Sequence, residues 1–252
     1  MLGEVRQHKI VELIMQKRSV QIGELRDLFE VSEETIRRDL KKLESDSILK
    51  RTHGGAVVNE EAHVVPSFTL RSQQNLPAKQ QIALAAAKLV PENGTVMLDS
   101  GSTTLEIARQ LVNRHVTVLT NDLNIAVELS QSLHLQLVVL GGVQQKGGYS
   151  LNGPECVERI RRYTVDLVFL GTGGIGFRQG LTTATSAEAE VKRAMMEAAE
   201  DIYCVADASK LGKAALVSYA QPDEVKAILT DASPEYPYVQ DWRNRGVEFV
   251  FV

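Results

Sequence analysis

The chain has 252 residues, of which 44% are hydrophobic and 24% charged, and its formal net charge is −4. This composition excludes a disordered chain, and the length predicts roughly one and a half to two domains. No run of about 18 apolar residues is present, and residues 1–19 carry charges where a signal peptide needs an apolar stretch, so we expect a cytoplasmic protein. Cys156 and Cys204 have no His or Cys at ligand spacing nearby, which predicts neither a disulfide nor a metal site.

Charge is distributed unevenly along the chain. Residues 1–58 contain 11 basic and 10 acidic residues, whereas the remainder has a net charge of −5. Within residues 35–53, six Lys or Arg stand against three acidic residues. A solvated helix face is the usual explanation of such a basic run, so charge alone does not establish a function.

The amino-terminal elements predict a helix-turn-helix. Apolar residues at helical spacing predict a helix over 4–17, followed by a short β segment over 19–22 and a second helix over 23–29. After a tight connection, Ser32 is a favourable N-cap for a third helix whose first turn is acidic.

The third helix has one apolar and one basic face. Ile36, Leu40 and Leu43 lie within about 60° of one another on a helical wheel, so we expect them to be buried. A helix with such a basic opposite face can enter a major groove, and the segments 48–51 and 56–58 around a His-Gly-Gly turn are typical of a two-stranded wing. The candidate DNA-binding residues are Ser32, Glu34, Thr35, Arg37, Arg38, Lys41, Lys42, Lys50, Arg51 and His53.

The run from Glu24 to Ala56 carries a family resemblance. Its segments VS-x-x-TIRRDL and R-x-HGGA resemble the winged-helix signature of the DeoR-type bacterial transcriptional repressors. Arg18 and Ser47 depart from that pattern, since such repressors usually have glycine at both positions. If either position needs a positive φ, a residue with a side chain costs about 1 kcal/mol there.

The rest of the chain predicts a linker and an α/β domain. Residues 59–78 lack a sustained period and contain two prolines, so we expect a linker with short ordered pieces between a DNA-binding domain over 1–58 and a second domain over 79–252. In the second domain, alternating helices and apolar strands predict a doubly wound, mostly parallel sheet. The predicted helices cover 79–89, 104–112, 123–129, 156–163, 186–200 and 238–245, and the predicted strands cover 95–98, 116–119, 135–140, 165–170, 202–206, 227–230 and 247–252.

Polar, glycine-rich segments follow five of these strands, at the sheet edge where ligands bind in such folds. In the first segment Gly101 lets the backbone approach a ligand, and the hydroxyls and amides of the next three residues at a helix amino end suit a phosphate. Capping of the helix by Ser and Thr is the alternative interpretation. The candidate effector-binding residues of these segments are Asp99, Ser100, Gly101, Ser102, Thr103, Thr104, Thr120, Asn121, Gly141, Gly142, Gly171, Gly173, Gly174, Asp207 and Lys210.

Two of these segments have competing interpretations. Residues 171–176 fit the dinucleotide pattern G-x-G-x-x-G, but residues 177–180 continue the loop and no helix begins at the third glycine, so a nicotinamide cofactor is not expected. Asp207 and Lys210 suit a sugar hydroxyl and a phosphate, although an Asp-Lys pair is more often a surface ion pair.

The remainder of the chain is similar to the effector domain of DeoR-type repressors, whose sheet resembles that of ribose-5-phosphate isomerases. The resemblance implies a sensor of a phosphorylated sugar or polyol, without a cofactor, in which the ligand weakens operator binding. It adds Arg71, Lys79, Glu188 and Lys192 to the candidate effector-binding residues. Glu188 and Lys192 are four residues apart on a helix, so they could instead pair with each other.

Two functional classes follow. The first is a repressor of a carbohydrate or polyol utilisation operon, bound to operator DNA in the nucleoid as a homodimer or homotetramer, because one recognition helix covers too few base pairs for selectivity. The alternative is a sugar-phosphate isomerase-like enzyme with a nucleic-acid-binding module, in which acidic residues such as Asp99 and Glu188 do acid–base work. A reading head joined to a complete sensor favours the repressor, with no catalytic residues and no membrane partner.

Overall fold

The computed structural model describes residues 3–45, 49–58, 68–145 and 148–252. The chain divides into two compact units, residues 1–71 and 72–252, each of which contains its own buried apolar cluster. The division falls inside the stretch that the sequence assigns to a linker. Within the described ranges, no helix has the length and hydropathy needed to cross a bilayer.

The first unit combines helices with a small antiparallel sheet. In strand order β1-β3-β2, the third strand pairs with both others, so the short segment before the second helix joins the predicted wing. Glycine is required at Gly55, because a side chain there would collide with the Val20 carbonyl oxygen of the neighbouring strand. The elements are α1 (Gly3–Lys17), β1 (Ser19–Gln21), α2 (Ile22–Phe29), α3 (Glu33–Ser45), β2 (Leu49–Arg51) and β3 (Gly55–Val58).

The local signals read from this part of the sequence are confirmed. Ile36, Leu40 and Leu43 are buried in the core of the unit, and the Thr35 N–H donates to Ser32 Oγ at 3.2 Å, which is the predicted N-cap bond. Arg18 adopts a φ of 65°, so its departure from glycine does fall at a left-handed position. Ser47, the other departure, and Ile48 of the predicted wing lie outside the described residues.

Two helices occupy the described part of the predicted linker: α4 (Phe68–Gln73) and α5 (Leu76–Leu89). The second begins three residues before its predicted start at Lys79. Pro77 lies in its first turn, where a backbone N–H has no intrahelical partner to lose. The proline therefore starts this helix, whereas the sequence analysis treated it as a break.

The second unit contains every helix and strand predicted from residue 79 onward, with ends shifted by at most three residues. In chain order its remaining helices are α6 (Ser102–Leu111), α7 (Leu123–Leu129), α8 (Pro154–Ile160), α9 (Ser186–Glu197) and α10 (Pro237–Arg243). Its strands are β4 (Thr95–Leu98), β5 (Thr117–Thr120), β6 (Gln136–Val139), β7 (Val143–Gln144), β8 (Leu151–Asn152), β9 (Val165–Gly171), β10 (Gly174–Gly176), β11 (Gly180–Thr183), β12 (Ala199–Val205), β13 (Val217–Ala220), β14 (Ala227–Thr230) and β15 (Phe249–Phe251).

Seven of these strands form one sheet in the order β15-β14-β12-β9-β4-β5-β6, and each neighbouring pair is parallel. The predicted doubly wound sheet is thus confirmed. The chain runs from β4 outward to β6 and then returns to the other side of β4 with β9, so the strand order reverses between β4 and β9. In open parallel sheets such a reversal is the place where ligands bind, beyond the carboxyl ends of the strands.

The loop predicted after β9 is wrong in part, since it contains strands. β10, β11 and β13 form a separate antiparallel sheet. β10 consists of Gly-Ile-Gly and ends at Gly176, where the dinucleotide pattern would need a helix to begin. A Cβ at Gly174 would lie 2.5 Å from the Lys213 carbonyl oxygen, so close packing requires glycine in this strand. Because glycine is rare inside strands, the sequence does not predict one here.

Both cysteines of the chain are buried and free. Burial raises the pKa of the Cys156 thiol to about 11 and that of the Cys204 thiol to about 12. They therefore stay protonated at neutral pH. In the part of the chain that the structure describes, no three His, Cys, Asp or Glu side chains are grouped as metal ligands.

Candidate functional site

The polar face of α3 carries three cations that no described residue engages. The side chains of Arg38, Lys41 and Lys42 are exposed, as predicted, and form no hydrogen bond or ion pair within the described ranges. Charged groups without internal partners are available to the phosphates and base edges of a duplex. This face is the candidate nucleic-acid interface of the first unit.

Two other predicted cations are held by acidic neighbours. Arg37 Nη2 lies 3.6 Å from Glu33 Oε2 on the same helix. The backbone N–H and Nε of Arg51 donate to the Glu44 carboxylate at 2.9 and 2.7 Å, which ties β2 to α3 and lowers the pKa of Glu44. Exposed pairs of this kind are weak, so a phosphate can replace the carboxylate.

The remaining predicted DNA contacts lie at the two ends of this surface. Ser32 and Thr35 form the N-cap of α3, with their hydroxyl oxygens 2.9 Å apart. Glu34, Lys50 and His53 are exposed. Their contact with DNA stays a prediction.

A buried ion pair that the sequence analysis missed fixes α3 to α1. Arg6 Nε donates to Asp39 Oδ2 at 2.6 Å, and Gln7 Nε2 donates to Asp39 Oδ1 at 2.7 Å. Both charged side chains are less than a tenth exposed. The available signal was a carboxylate three residues after Ile36 on the apolar face of the helix, where an unpaired charge would be costly.

At the reversal between β4 and β9, Asp99 and Lys192 form a buried ion pair. The Lys192 ammonium donates to Asp99 Oδ2 and, at 2.9 Å, to the Gly171 carbonyl oxygen. The Gly171 N–H in turn donates to Asp99 Oδ2 at 3.0 Å. Burial raises the pKa of Asp99, and the charge of Lys192 opposes that rise. The pair therefore joins the carboxyl ends of the two central strands through a residue of α9.

Tyr219 of β13 closes this cluster from the small antiparallel sheet. The Lys192 ammonium lies 5.2 Å from the centre of its ring, and its hydroxyl donates to the Gly171 carbonyl oxygen at 3.1 Å. Burial raises the pKa of Tyr219 well above its usual value. Sequence analysis missed this residue because it did not predict β13.

The possible pairing of Glu188 with Lys192 is wrong. Glu188 Oε2 accepts hydrogen bonds from the Thr183 hydroxyl at 2.5 Å and from the Ala184 N–H at 3.2 Å. Lys192 points to the buried Asp99, where the low dielectric strengthens the attraction relative to a pair on the helix surface.

The amino end of α6 lies at the same edge, since α6 follows β4 directly. Its first residues, Ser102, Thr103 and Thr104, are buried. The Thr104 hydroxyl donates to the Gly101 carbonyl oxygen at 2.9 Å, and no side chain of the described residues caps the helix. The capping alternative is therefore not what the structure has, and the amides of the first turn can meet an anion.

The ends of β4 and β5 are locked together by hydroxyl groups. The Thr120 hydroxyl donates to the Leu98 carbonyl oxygen at 2.8 Å. The Ser100 hydroxyl donates to Asp122 at 2.5 Å, while burial raises the pKa of that carboxyl group. Thr120 and Ser100 thus brace the edge on which the neighbouring Asn121 lies.

Asp207 is buried at the end of β12 and does not belong to a surface ion pair. Its carboxylate accepts from the Ser209 N–H at 3.0 Å and from Asn75 Nδ2 at 2.9 Å. The Lys210 N–H donates to the Asp207 carbonyl oxygen at 3.0 Å. Lys79 follows Asn75 closely in the sequence and is buried, and its ammonium donates to the Gln74 carbonyl oxygen at 2.6 Å. The segment before α5 therefore reaches the end of β12.

The last predicted residues differ in how the structure constrains them. Gly141 and Gly142 have φ values of 75° and 113°, which favour glycine. The Gly173 N–H donates to the Thr182 carbonyl oxygen at 2.8 Å. Arg71 belongs to the first unit, where its guanidinium lies 5.9 Å from the centre of the Phe68 ring, so its membership of the effector site stays a prediction.

Comparison with known proteins places this architecture in a family. The model of the DeoR-like helix-turn-helix domain matches residues 6–62, and that of the DeoR C terminal sensor domain matches residues 74–232. The two matches correspond to the two units of the structure. In the second unit, the matched region includes the Asp99–Lys192 pair and the amino end of α6.

Proteins similar over nearly the whole chain are named as repressors. The putative aga operon transcriptional repressor of Escherichia coli is 34% identical over 251 residues, covering 98% of this chain and 93% of that protein. The glycerol-3-phosphate regulon repressor of Escherichia coli is 30% identical over 236 residues, or 93% of each chain. Ribose 5-phosphate isomerase A of Methanocaldococcus jannaschii has a TM-score of 0.41 and 21% identity, over 54% of this chain and 55% of that chain. From its two domain matches and its similarity to these two repressors, the chain belongs to the DeoR family of transcriptional regulators.

Proposed function

We propose that this protein represses a carbohydrate or polyol utilisation operon and that a phosphorylated sugar or polyol releases it from operator DNA. The observation that carries the proposal is that one family member combines a helix whose three exposed cations have no partner among the described residues with a parallel sheet whose strand reversal holds a buried ion pair. The names of the aga operon and glycerol-3-phosphate regulon repressors support a phosphorylated sugar or polyol as the class of effector.

DNA binding uses the exposed face of α3. In this account α3 lies in the major groove, Arg38 reaches base edges, and Lys41 and Lys42 contact phosphates. The wing adds backbone contacts through Lys50 and Arg51. Two or four copies bind together, because a single helix reads too few base pairs to select one operator in a genome.

Effector binding uses the carboxyl edge of the parallel sheet. The phosphate group lies at the amino end of α6, where backbone amides and the helix dipole favour an anion. Lys79 and Lys210 supply positive charge, and the Asp99–Lys192 pair holds the two central strand ends in place. The ligand binds the DNA-incompetent arrangement more tightly, with a coupling of about 1–3 kcal/mol typical of such regulators.

Three measurements on the purified full-length protein test this proposal. Selection from a random duplex library should yield a preferred operator sequence, and binding to it should weaken steeply as salt increases. Sedimentation with and without that operator should show dimers or tetramers, and only monomers would contradict the assembly. In the enzyme alternative, the protein ignores every duplex at low ionic strength yet isomerises a sugar phosphate, which NMR of the substrate would detect.

A further inference from the structure

The hairpin of β7 and β8 lies beside the end of β5 and buries two asparagines. The Leu151 N–H donates to the Asn121 carbonyl oxygen at 2.7 Å, and Asn121 Nδ2 donates to the Leu151 carbonyl oxygen at 3.0 Å. Asn121 is 1% exposed, and Asn152, the last residue of the hairpin, is 6% exposed. Both side chains are thus removed from bulk water.

Each of these amides uses its nitrogen inside the protein and leaves its oxygen unpaired. Asn152 Nδ2 donates to Ser150 Oγ at 3.0 Å. Across the described residues, no group donates to Oδ1 of Asn121 or to Oδ1 of Asn152. The Asn121 amide cannot be reversed without loss, because its nitrogen faces a carbonyl oxygen, which only accepts. Buried acceptors in native proteins are nearly always paired, so each of these two oxygens points to a donor outside the described residues.

Asn121 adjoins the strand-reversal site, and Asn152 is joined to Asn121 through the neighbouring Leu151 of the hairpin. Asn121 follows Thr120 as Asp99 follows Leu98, and Thr120 and Leu98 are partners in the register of β5 and β4. A Cβ on Gly142 would lie 2.7 Å from the Asn152 carbonyl oxygen and 3.0 Å from Cys156 Cβ. The charge of Asp99 contributes to the raised pKa of Cys156. Asn152 is thereby linked, through its neighbours, to the same end of the sheet as Asp99.

We propose that Asn121 and Asn152 read the hydroxyl groups of the effector. Their two free amide oxygens accept hydrogen bonds from hydroxyls of the carbohydrate chain, while the phosphate lies at the amino end of α6. This inference rests on the proposed function and adds a ligand requirement to it. The site selects polyhydroxylated phosphate esters over esters without hydroxyls, and Asn152 joins the effector-binding residues although the sequence analysis did not predict it.

Calorimetric titration of the full-length protein with a graded set of ligands tests this. Propyl phosphate, glycerol 3-phosphate, ribitol 5-phosphate and glucitol 6-phosphate share a phosphate monoester and differ in their hydroxyl groups. We expect at least one of the polyol phosphates to bind about tenfold tighter than propyl phosphate. Asn121→Ala and Asn152→Ala should each reduce that advantage about fivefold, the worth of one neutral hydrogen bond, and leave the affinity for propyl phosphate unchanged.

Ser150→Ala is the matched control for Asn152→Ala. It removes one internal partner of Asn152 Nδ2, the other being Gln145 Oε1 at 3.5 Å, but keeps the free oxygen. The preference for the polyol phosphate should therefore persist even if the hairpin is less stable. Thermal melts establish that each variant is folded. If Asn152→Ala fails to fold, Asn121→Ala and the ligand series on the unmodified protein still decide the question.

The possible outcomes separate the inference from the proposed function. Equal binding of propyl phosphate and every polyol phosphate would overturn the inference that Asn121 and Asn152 bind hydroxyl groups, and would leave phosphate sensing intact. Unchanged preference in both folded alanine variants would also overturn it. Failure of all four esters and of inorganic phosphate to bind would contradict the proposed function itself, and the inference with it.

Discussion

The two units of this protein use charge in opposite ways. On α3, the cations Arg38, Lys41 and Lys42 are exposed and unpartnered among the described residues. At the strand reversal of the second unit, Asp99 and Lys192 are buried and bonded to each other and to Gly171. A duplex is a dense polyanion that exposed cations can meet from outside, whereas a small ligand needs charges held in place and away from water.

Because of this difference, substitutions can affect DNA binding and folding stability separately. Removal of an exposed, unpartnered cation should weaken DNA binding and leave folding unchanged. Removal of one member of the buried pair should destabilise the second unit before any ligand is considered. The first unit also contains one buried pair, Arg6 with Asp39, and there the pair holds the recognition helix.

The largest effect is expected for Lys192→Met. The variant leaves Asp99 buried without its cation, which should cost about 3–5 kcal/mol of unfolding free energy. Urea denaturation followed by the fluorescence of Trp242, the single tryptophan of the chain, measures this in the second unit.

The control is the double variant Lys192→Met with Asp99→Asn, which removes the uncompensated charge and should recover part of the loss. A loss of unfolding free energy below about 1 kcal/mol in the single variant would mean that the Asp99–Lys192 pair does not stabilise the second unit.

Arg38→Ala and Lys42→Ala test the exposed side of the comparison. Arg38→Ala should cost about 1–3 kcal/mol of operator affinity and relax the base preference, whereas Lys42→Ala should weaken all sequences alike and reduce the salt slope by about 1. Fluorescence anisotropy at several salt concentrations measures both. Neither should change the unfolding free energy by more than about 0.5 kcal/mol. Identical behaviour of the two variants would contradict the assignment of α3 faces.

Arg18→Gly should stabilise the first unit by up to about 1 kcal/mol, because the left-handed φ of 65° is costly for a residue with a side chain and glycine removes that cost at some expense in chain entropy. Hydrogen exchange of the β1 and β3 amides measures the change. Gly142→Ala is the comparison in the second unit, where the opposite sign is expected since its Cβ would lie 2.7 Å from the Asn152 carbonyl oxygen. Faster exchange in Arg18→Gly would contradict the strain.

The smallest effect concerns Asp122, whose pKa is raised by burial. The folded state then holds this proton more tightly than the unfolded chain, in which the pKa is about 3.9. The contribution of Asp122 to stability is therefore present below that value and lost as pH rises through the folded pKa. Asp122 is the N-cap of α7, where its carboxylate accepts hydrogen bonds from the N–H groups of Asn124 and Ile125. Asn also caps helices well, so Asp122→Asn should gain stability relative to the unmodified protein as pH rises from about 4 towards neutrality. A gap between the two proteins that stays constant over this range would contradict the burial effect.

Local signals made the first unit predictable from its sequence. The N-cap at Ser32, the apolar face of Ile36, Leu40 and Leu43, and the glycines of the wing turn each act over a few residues, so the sequence displays them directly. The parallel sheet was predictable for the same reason, because its strands contain short apolar segments that alternate with helices along the chain.

The arrangement at the strand reversal depended on distant partners. Asp99 and Lys192 are 93 residues apart in the chain, and the sequence offered Glu188 as a nearer alternative partner. β10 and β11 are short strands rich in Gly and Thr, and β13 pairs with β11 from a separate part of the chain, so no periodic pattern predicted these strands or Tyr219. Residue types at the strand ends could be named from the sequence, but their partners could not.

Release of operator DNA by an effector tests the central claim most directly. Anisotropy of a labelled operator selected from the duplex library is followed while polyol phosphates and their unphosphorylated counterparts are titrated into the complex. We expect a phosphorylated polyol to release the DNA and its unphosphorylated counterpart to leave it bound, and Lys210→Ala to bind the operator normally but resist release. A protein that stays on its operator with every phosphate ester that binds it would contradict the account.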